Sequence, residues 1–252
     1  MILAATGMRR EARIIARAGL VPVISGGDAG RLRGLLTAQA ARASAIVSIG
    51  IAGALSPELR VGDIVVGDRV LIPPRNGEGD HPQGGGGERA TFGGFAGPST
   101  ACGGPPPRDK LGEELLTVLP GARRGVACGS DAMVITAAAK ARLYEACGGT
   151  LPLIIDMESH VAAQVAQEHG LPFAFIRVIS DRADQDLPPA VTCGLKADGS
   201  MAILPVLAAL LRKPAQLPAL IRTARDTDRA MRSLLAACDV LARGGVGLAD
   251  RG

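Results

Sequence analysis

Five carboxylates stand just beyond apolar runs: Glu11 after ILAAT, Asp131 in GSDAMV, Asp156 and Glu158 in IIDMES, and Asp181 in RVISDRAD. Positioned carboxyl groups can transfer protons or stabilise developing positive charge. In open α/β sheets the side chains just past the carboxyl ends of strands converge on the ligand crevice, so these positions share one expected location. Each also has an ordinary reading. Asp131 can cap a following helix, and Glu158 can sit favourably beside a helix N-terminus.

Motifs for other chemistries are missing. The first strand leads into ATGMRRE, with one glycine where a dinucleotide-binding turn needs three, and no Walker loop follows. Gly26-Gly27-Asp28-Ala29-Gly30 precedes a helix and offers a weak phosphate signal, although such turns more commonly just connect elements. Nothing matches the Gly-x-Ser-x-Gly elbow, and His81, His160 and His169 lack metal-ligand spacing. No metal and no cofactor are expected. Cys102, Cys128, Cys147, Cys193 and Cys238 form an odd set without a C-x-x-C pair, which reads as small core residues rather than a disulfide frame.

The elements that must hold the carboxylates follow a β/α rhythm. ILAAT is followed by helical periodicity over Met8 to Ala18, LVPVIS by Asp28 to Ala41, and then come AIVSIG and DIVVGDRVLI. The second half repeats it, with GVACGS, a helix over Ala137 to Cys147, LPLIID, a helix over Glu158 to His169, and PFAFIRVIS. Near-continuous apolar strands are typical of a sheet covered on both faces. The expectation is an α/β fold, a three-layer α/β/α sandwich around a central mixed β-sheet. It forms a single domain over residues 1–241, with a flexible tail at 242–252. Residues 76–107, half of them Gly or Pro, read as a flexible surface insertion.

The C-terminal part reads as an apolar helix near Ala202 to Leu211, a bend at Arg212-Lys213-Pro214, and a long amphipathic helix to about Leu241. Arg222, Arg225, Arg229 and Arg232 share one stripe of that helix, while Leu217, Leu220, Ile221, Ala224, Met231, Leu234 and Leu235 supply apolar contacts. Such a stripe is usually a solvated face, and it can also dock weakly on an anionic membrane surface.

Composition narrows the function classes. With 47% apolar residues in 252, the chain can bury a sizeable core. The longest apolar run, Met201 to Leu211, is too short to cross a bilayer, and the basic residues near the N-terminus follow the apolar stretch, the reverse of a secretory signal. A cytoplasmic protein is expected, at most peripheral at the inner face of the membrane. A net charge of +4 with 2% aromatics and no Trp offers few platforms for stacking bases, so no nucleic-acid partner is expected.

Taken in order, ATGMRREA, SIGIAGALSPELRVGDIVV, GSDAMV, IIDMES and FIRVISDRAD resemble the nucleoside phosphorylase and nucleosidase superfamily, the group that includes methylthioadenosine/S-adenosylhomocysteine nucleosidase. A Met-Glu pair followed some twenty residues later by Ser-Asp is more specific than any single piece. DMESHVAAQVA, VISDRADQDLPP and KPAQLPALIRTARDTDRAMRSLL further resemble the hopanoid-associated branch, which implies adenosylhopane as substrate, the alternative being a methylthioadenosine/S-adenosylhomocysteine nucleosidase acting on small soluble substrates.

The resemblance implies cleavage of an N-glycosidic bond, which needs acid to the departing base and a nucleophile at an oxocarbenium-like sugar. It assigns Asp181 as the general acid toward N7 of adenine, oriented by Ser180, and this role calls for a carboxyl raised toward neutrality by burial. Glu158 matches the ribose-binding glutamate with Met157 beneath the sugar, and Glu11 matches the residue that orients the attacking water. Ala132, Met133 and Val134 would form the adenine pocket, with Met133 where nucleosidases commonly carry an aromatic.

Phosphorolytic relatives hold phosphate with an arginine and a serine around the glycine turn after the third strand. Here Ser48 and Ile51 occupy those places, beside Ala52, which favours water as nucleophile. Arg9, Arg10, Arg31 or Arg33 could still clamp an anion, which leaves phosphorolysis open. The resemblance also implies a small-molecule nucleoside substrate, adenine as product, and a homodimer or higher homo-oligomer.

Overall fold

The computed structural model describes residues 1–72, 109–148, 152–191, 199, 200, 210 and 214–244. The Gly/Pro-rich insertion at 76–107, the apolar segment 202–209 and most of the 242–252 tail lie outside the described residues, as do Cys102 and Cys193.

Among the described residues seven strands form one mixed sheet: β1 (Ile2–Thr6), β2 (Val21–Ile24), β3 (Ala45–Ala54), β4 (Ile64–Leu71), β5 (Arg123–Gly129), β6 (Leu153–Asp156) and β7 (Phe173–Asp181). Their order is β2-β1-β3-β6-β5-β4-β7. The long β3 also pairs with β7 from Ile46↔Phe173 to Gly53↔Asp181, so the sheet curls and five strands close into a ring. Closure needs strong local twist, and a bulge at Ala52/Gly53 supplies it where β3 passes the end of β7. β1 and β7 run parallel to β3, so their carboxyl ends finish at the same rim.

Helices α1 (Arg9–Ile15), α2 (Ala29–Ala40), α3 (Asp109–Val118), α4 (Ala137–Ala146), α5 (Ser159–Glu168) and α6 (Leu217–Gly244) cover the sheet. One core packs Ile15, Leu115, Met231, Leu234 and Leu241 against Val47, Ile49 and Ile176. The opposite core packs Leu32, Leu36, Val161 and Val165 against Leu3, Ile46 and Phe175. Two apolar cores on the two faces of one mixed sheet are the three-layer sandwich expected from the strand pattern.

Local chemistry sets the boundaries. Asp28 accepts the Arg31 N–H and starts α2, so the Gly26–Gly30 turn serves as a cap and connector. Helix α6 runs three residues beyond Leu241. Its buried face is Ala230, Met231, Leu234, Ala237, Cys238 and Leu241, with Thr223 about two turns upstream of Ala230, so Met231 and Leu234 pack as expected. Leu217 and Ile221 are instead exposed. The arginine stripe is exposed, and Arg232 pairs with Asp228 of the same helix. Cys128 and Cys238 are buried and Cys147 is half-buried, as small core residues would be. Among the described residues no helix is long and apolar enough to cross a membrane.

Candidate active site

A cavity of about 560 Å³ opens at the rim where β1, β3, β5, β6 and β7 end. Glu11, Glu158 and Asp181 line it together with Ser180 and Met157. Ile51 and Ala52 come from the bulged end of β3, and Ala132, Met133 and Val134 from the loop after β5. Three segments far apart in sequence therefore bring the three assigned carboxylates to one site.

Glu11 sits in the first turn of α1 and is 2% exposed. Its Oε2 accepts from Thr6 Oγ1 at 2.7 Å and from the Met8 N–H at 2.8 Å, and its Oε1 accepts from the Ile51 N–H at 2.8 Å. An acidic side chain there complements the helix N-terminus and ties α1 to β3. Gly50 is required by this contact, because a Cβ at that position would lie 2.5 Å from Glu11 Oε1 and 2.7 Å from Arg177 Nη1. Replacing Glu11 by Gln puts an NH₂ where an oxygen now accepts, and either amide orientation sets it against a backbone N–H. We expect Glu11→Gln to cost ~1–3 kcal/mol of stability and to slow turnover without abolishing adenine affinity. Chemical denaturation and adenine titration check both parts, and loss of adenine binding would make Glu11 a base-pocket residue.

Glu158 is the N-cap residue of α5, yet its side chain makes no capping hydrogen bond. Asp156 caps that helix instead, taking the Glu158 and Ser159 N–H groups on Oδ1 at 2.9 and 2.7 Å and the Ser159 hydroxyl on Oδ2 at 2.6 Å. The Glu158 carboxylate accepts from Ser25 Oγ at 2.9 Å and from Arg177 Nη2 at 3.2 Å. Asp131 does not cap α4 either. It lies 3.0 Å from His160 Nε2 and so ties the loop after β5 to α5, while Thr136 caps α4.

Arg177 is a residue that the motifs did not reveal. It sits fully buried in the middle of β7, 3.2 Å from both Asp156 Oδ2 and Glu158 Oε2, and donates to Ser48 Oγ at 2.6 Å. Burial alone would weaken its protonation, but the surrounding carboxylates push its pKa up. One guanidinium thus faces Asp156, Glu158 and Glu11, an excess of negative charge. Burial pushes the Glu158 carboxyl up to about 7, with Arg177 opposing and Asp156 and Glu11 reinforcing the rise. A site so charged gains when a cation forms beside it.

Asp181 differs from the sequence expectation. The role of a neutral acid suggested an apolar setting, but Lys140 of α4, completely buried, reaches its Oδ2 at 2.5 Å. Ser180 Oγ lies 2.8 Å from Oδ1 and 3.1 Å from the Ala52 carbonyl oxygen. A lone lysine inside AAAKARLYE reads from sequence as an exposed helix residue, so only the fold reveals this partner.

Of the arginines considered as anion clamps, Arg9 and Arg10 line the cavity with Arg13, whereas Arg31 and Arg33 do not. Arg10 pairs with Asp228, and Arg33 with Glu168. Ser48 is engaged by Arg177, and the Ile51 N–H by Glu11.

Solved structures with this fold include futalosine hydrolase of Helicobacter pylori strain 26695, 16% identical, with 96% of this chain and 97% of that one covered and a TM-score of 0.59. A putative methylthioadenosine nucleosidase from Weissella paramesenteroides is 16% identical, covers 97% and 98%, and has a TM-score of 0.57. The 5'-methylthioadenosine/S-adenosylhomocysteine nucleosidase from Neisseria meningitidis, in complex with methylthio-immucillin-A, is 18% identical, covers 94% and 98%, and has a TM-score of 0.54. At such identities the likeness is one of fold. Residues 7–202, a stretch that takes in Glu11, Glu158 and Asp181 together, match the Phosphorylase superfamily, and the chain belongs to that family.

Proposed function

We propose that this protein is a nucleosidase that hydrolyses the N-glycosidic bond of an adenine nucleoside, with adenosylhopane as substrate and ribosylhopane and adenine as products. The convergence of Glu11, Glu158 and Asp181 on one cavity carries the reading. Asp181 gives a proton to the departing purine, so the base leaves neutral. Glu158 accepts hydrogen bonds from the sugar hydroxyls and stabilises the cationic ring, while Met157 packs beneath it. Glu11, whose Oε1 keeps a free lone pair beside the Ile51 N–H, orients the water. Ala132, Met133 and Val134 take the purine, with the Met133 thioether against its face.

Water is favoured over phosphate because Ser48 and the Ile51 N–H are already used within the protein. Adenine release in phosphate-free buffer tests this, and strict dependence on phosphate would assign phosphorolysis through Arg9 and Arg13 instead. The large apolar 5′ group is supported by apolar residues of the cavity wall, Met8, Leu187, Val191 and Met231 among them. Side-by-side turnover of methylthioadenosine and an adenosine with a long alkyl chain on its 5′ carbon decides the point, and preference for the small substrate would reject the lipid.

The chain acts as one domain over residues 1–241 and as a homo-oligomer in the cytoplasm. A lipid-linked substrate also calls for contact with a membrane surface, and Arg222, Arg225, Arg229 and Arg232 are exposed for it. Each basic residue near an anionic bilayer contributes on the order of 1 kcal/mol, so docking is weak and salt-sensitive. The protein is expected to sediment with anionic but not neutral vesicles, and to lose this when the four arginines become Gln. Equal recovery with both vesicle types would leave the stripe a solvated face.

A further inference from the structure

The Lys140–Asp181 pair poses a question that the nucleosidase reading leaves open. All three ammonium protons of Lys140 have acceptors: Asp181 Oδ2 at 2.5 Å and the carbonyl oxygens of Arg182 and Gln185 at 2.8 and 3.1 Å. Helix α4 is aimed by the Asp186 carboxylate on the Ala137 N–H at 2.7 Å and by the Leu187 N–H on the Ile135 carbonyl at 2.7 Å. The lysine is thereby held at the end of β7, in contact with a cavity-lining carboxylate but outside the cavity lining itself. A buried ammonium is costly without a counter-ion, and here Asp181 fills that role. The second oxygen of Asp181 faces the Ser180 hydroxyl at 2.8 Å. One carboxylate oxygen thus lies against the ammonium and the other against a hydroxyl, so a proton is held directly beside the carboxylate.

We propose that Lys140 is a positioning residue that supplies Asp181 with the proton Asp181 delivers, the two forming a neutral pair across which one proton is handed to the purine. This rests on the nucleosidase reading above. As the glycosidic bond breaks, its electron pair stays with the purine. One proton moves from Nζ to the Asp181 carboxylate, and one moves from the carboxyl to a purine ring nitrogen. The purine leaves neutral, Asp181 ends as a carboxylate, and Lys140 ends as a neutral amine. The water that adds to the sugar loses a proton to solvent by way of Glu11, and Lys140 regains one from solvent through Asp181 once the base has departed. The pair starts neutral, carries one negative charge on Asp181 after the purine has taken its proton, and is neutral again once Lys140 has regained a proton.

Lys140→Arg separates proton supply from charge, because an arginine keeps the cation but does not give up a proton. Using the full chain, adenine release is measured from methylthioadenosine and from the long-alkyl adenosine, with adenine affinity and melting temperature alongside. A riboside with a 4-nitrophenolate leaving group, which departs without a proton, is the control substrate. Lys140→Arg is expected to lower kcat for the adenine nucleosides by ~10²-fold, the scale of a lost general acid. KM, adenine affinity and turnover of the nitrophenyl riboside should stay within about threefold, the size of an ordinary contextual change. Lys140→Met, combined with Asp181→Asn so that no charge is stranded, should be no slower than Asp181→Asn alone. Near-normal kcat in Lys140→Arg, or an equal loss on all substrates, overturns the proposal and returns Lys140 to scaffolding. If the unaltered protein releases no adenine from either nucleoside, the nucleosidase reading itself falls, and this proposal with it.

Discussion

Asp181→Asn is expected to lower turnover by ~10²-fold or more and, at the same time, to destabilise the protein by ~3 kcal/mol. The first effect follows because an amide matches the carboxyl in shape but carries no acidic proton. The second follows from Lys140, which is completely buried and has Asp181 as its ion-pair partner. An amide next to Lys140 leaves an ammonium in the interior without a compensating charge. Sequence motifs alone would predict a variant that keeps its full stability, so the stability loss is the part specific to this structure. Removing the stranded charge should restore it: Asp181→Asn with Lys140→Met should regain most of the lost stability while remaining as slow as the single variant. Urea denaturation and adenine release measure the two quantities separately. A stable Asp181→Asn protein would deny the ion pair, and near-normal turnover would remove Asp181 from the chemistry.

Short motifs and long-range partners carry different information about this fold. The cavity-lining residues were legible because each sits in a short contiguous motif at a strand end: Glu11 in ATGMRRE, Glu158 in IIDMES, Asp181 in RVISD. Alternating apolar strands and helices likewise carried the layered fold, since burial on both faces leaves a local pattern. Closure of the sheet did not show, because the β3–β7 pairing joins residues over a hundred positions apart and depends on twist accumulated across five strands. Arg177 and Lys140 were hidden for a related reason. Each is a charged residue in an element interior, where pattern reasoning assigns a solvent-facing position, and each is buried only because carboxylates from other elements arrive to pair with it. Asp131 and Asp156 show the converse, since both stand at strand ends like the assigned carboxylates. His160 and the start of α5 absorb them, a distinction that needs three-dimensional partners.

Glu158→Gln is expected to cut kcat/KM by ~10²-fold at pH 8 and to erase the acid limb of the pH profile. Burial holds the Glu158 carboxyl up at about 7. The charged form needed beside a cationic sugar is therefore only partly present at neutral pH, and wild-type kcat/KM should fall as pH drops through 7. Stability moves in the opposite sense. The folded protein holds this proton more tightly than the unfolded chain, whose carboxyl titrates near the ordinary value of 4.5. The contribution of Glu158 is thus greatest below the unfolded value and is lost as pH rises through about 7, a decline of ~3 kcal/mol. Glutamine does not titrate, so the difference in denaturation free energy between wild type and variant, measured at pH 5 and again at pH 8, isolates most of that amount. The low-dielectric setting and the neighbouring Asp156 and Glu11 make the charge costly. They also make it effective once positive charge develops on the sugar, because the same excess negative charge is then neutralised. A wild-type minus variant stability difference that falls with pH, while wild-type activity rises and the variant's acid limb is absent, is the expected pattern. An acid limb that survives in Glu158→Gln would move that titration to another group and leave Glu158 a ribose ligand without an electrostatic role.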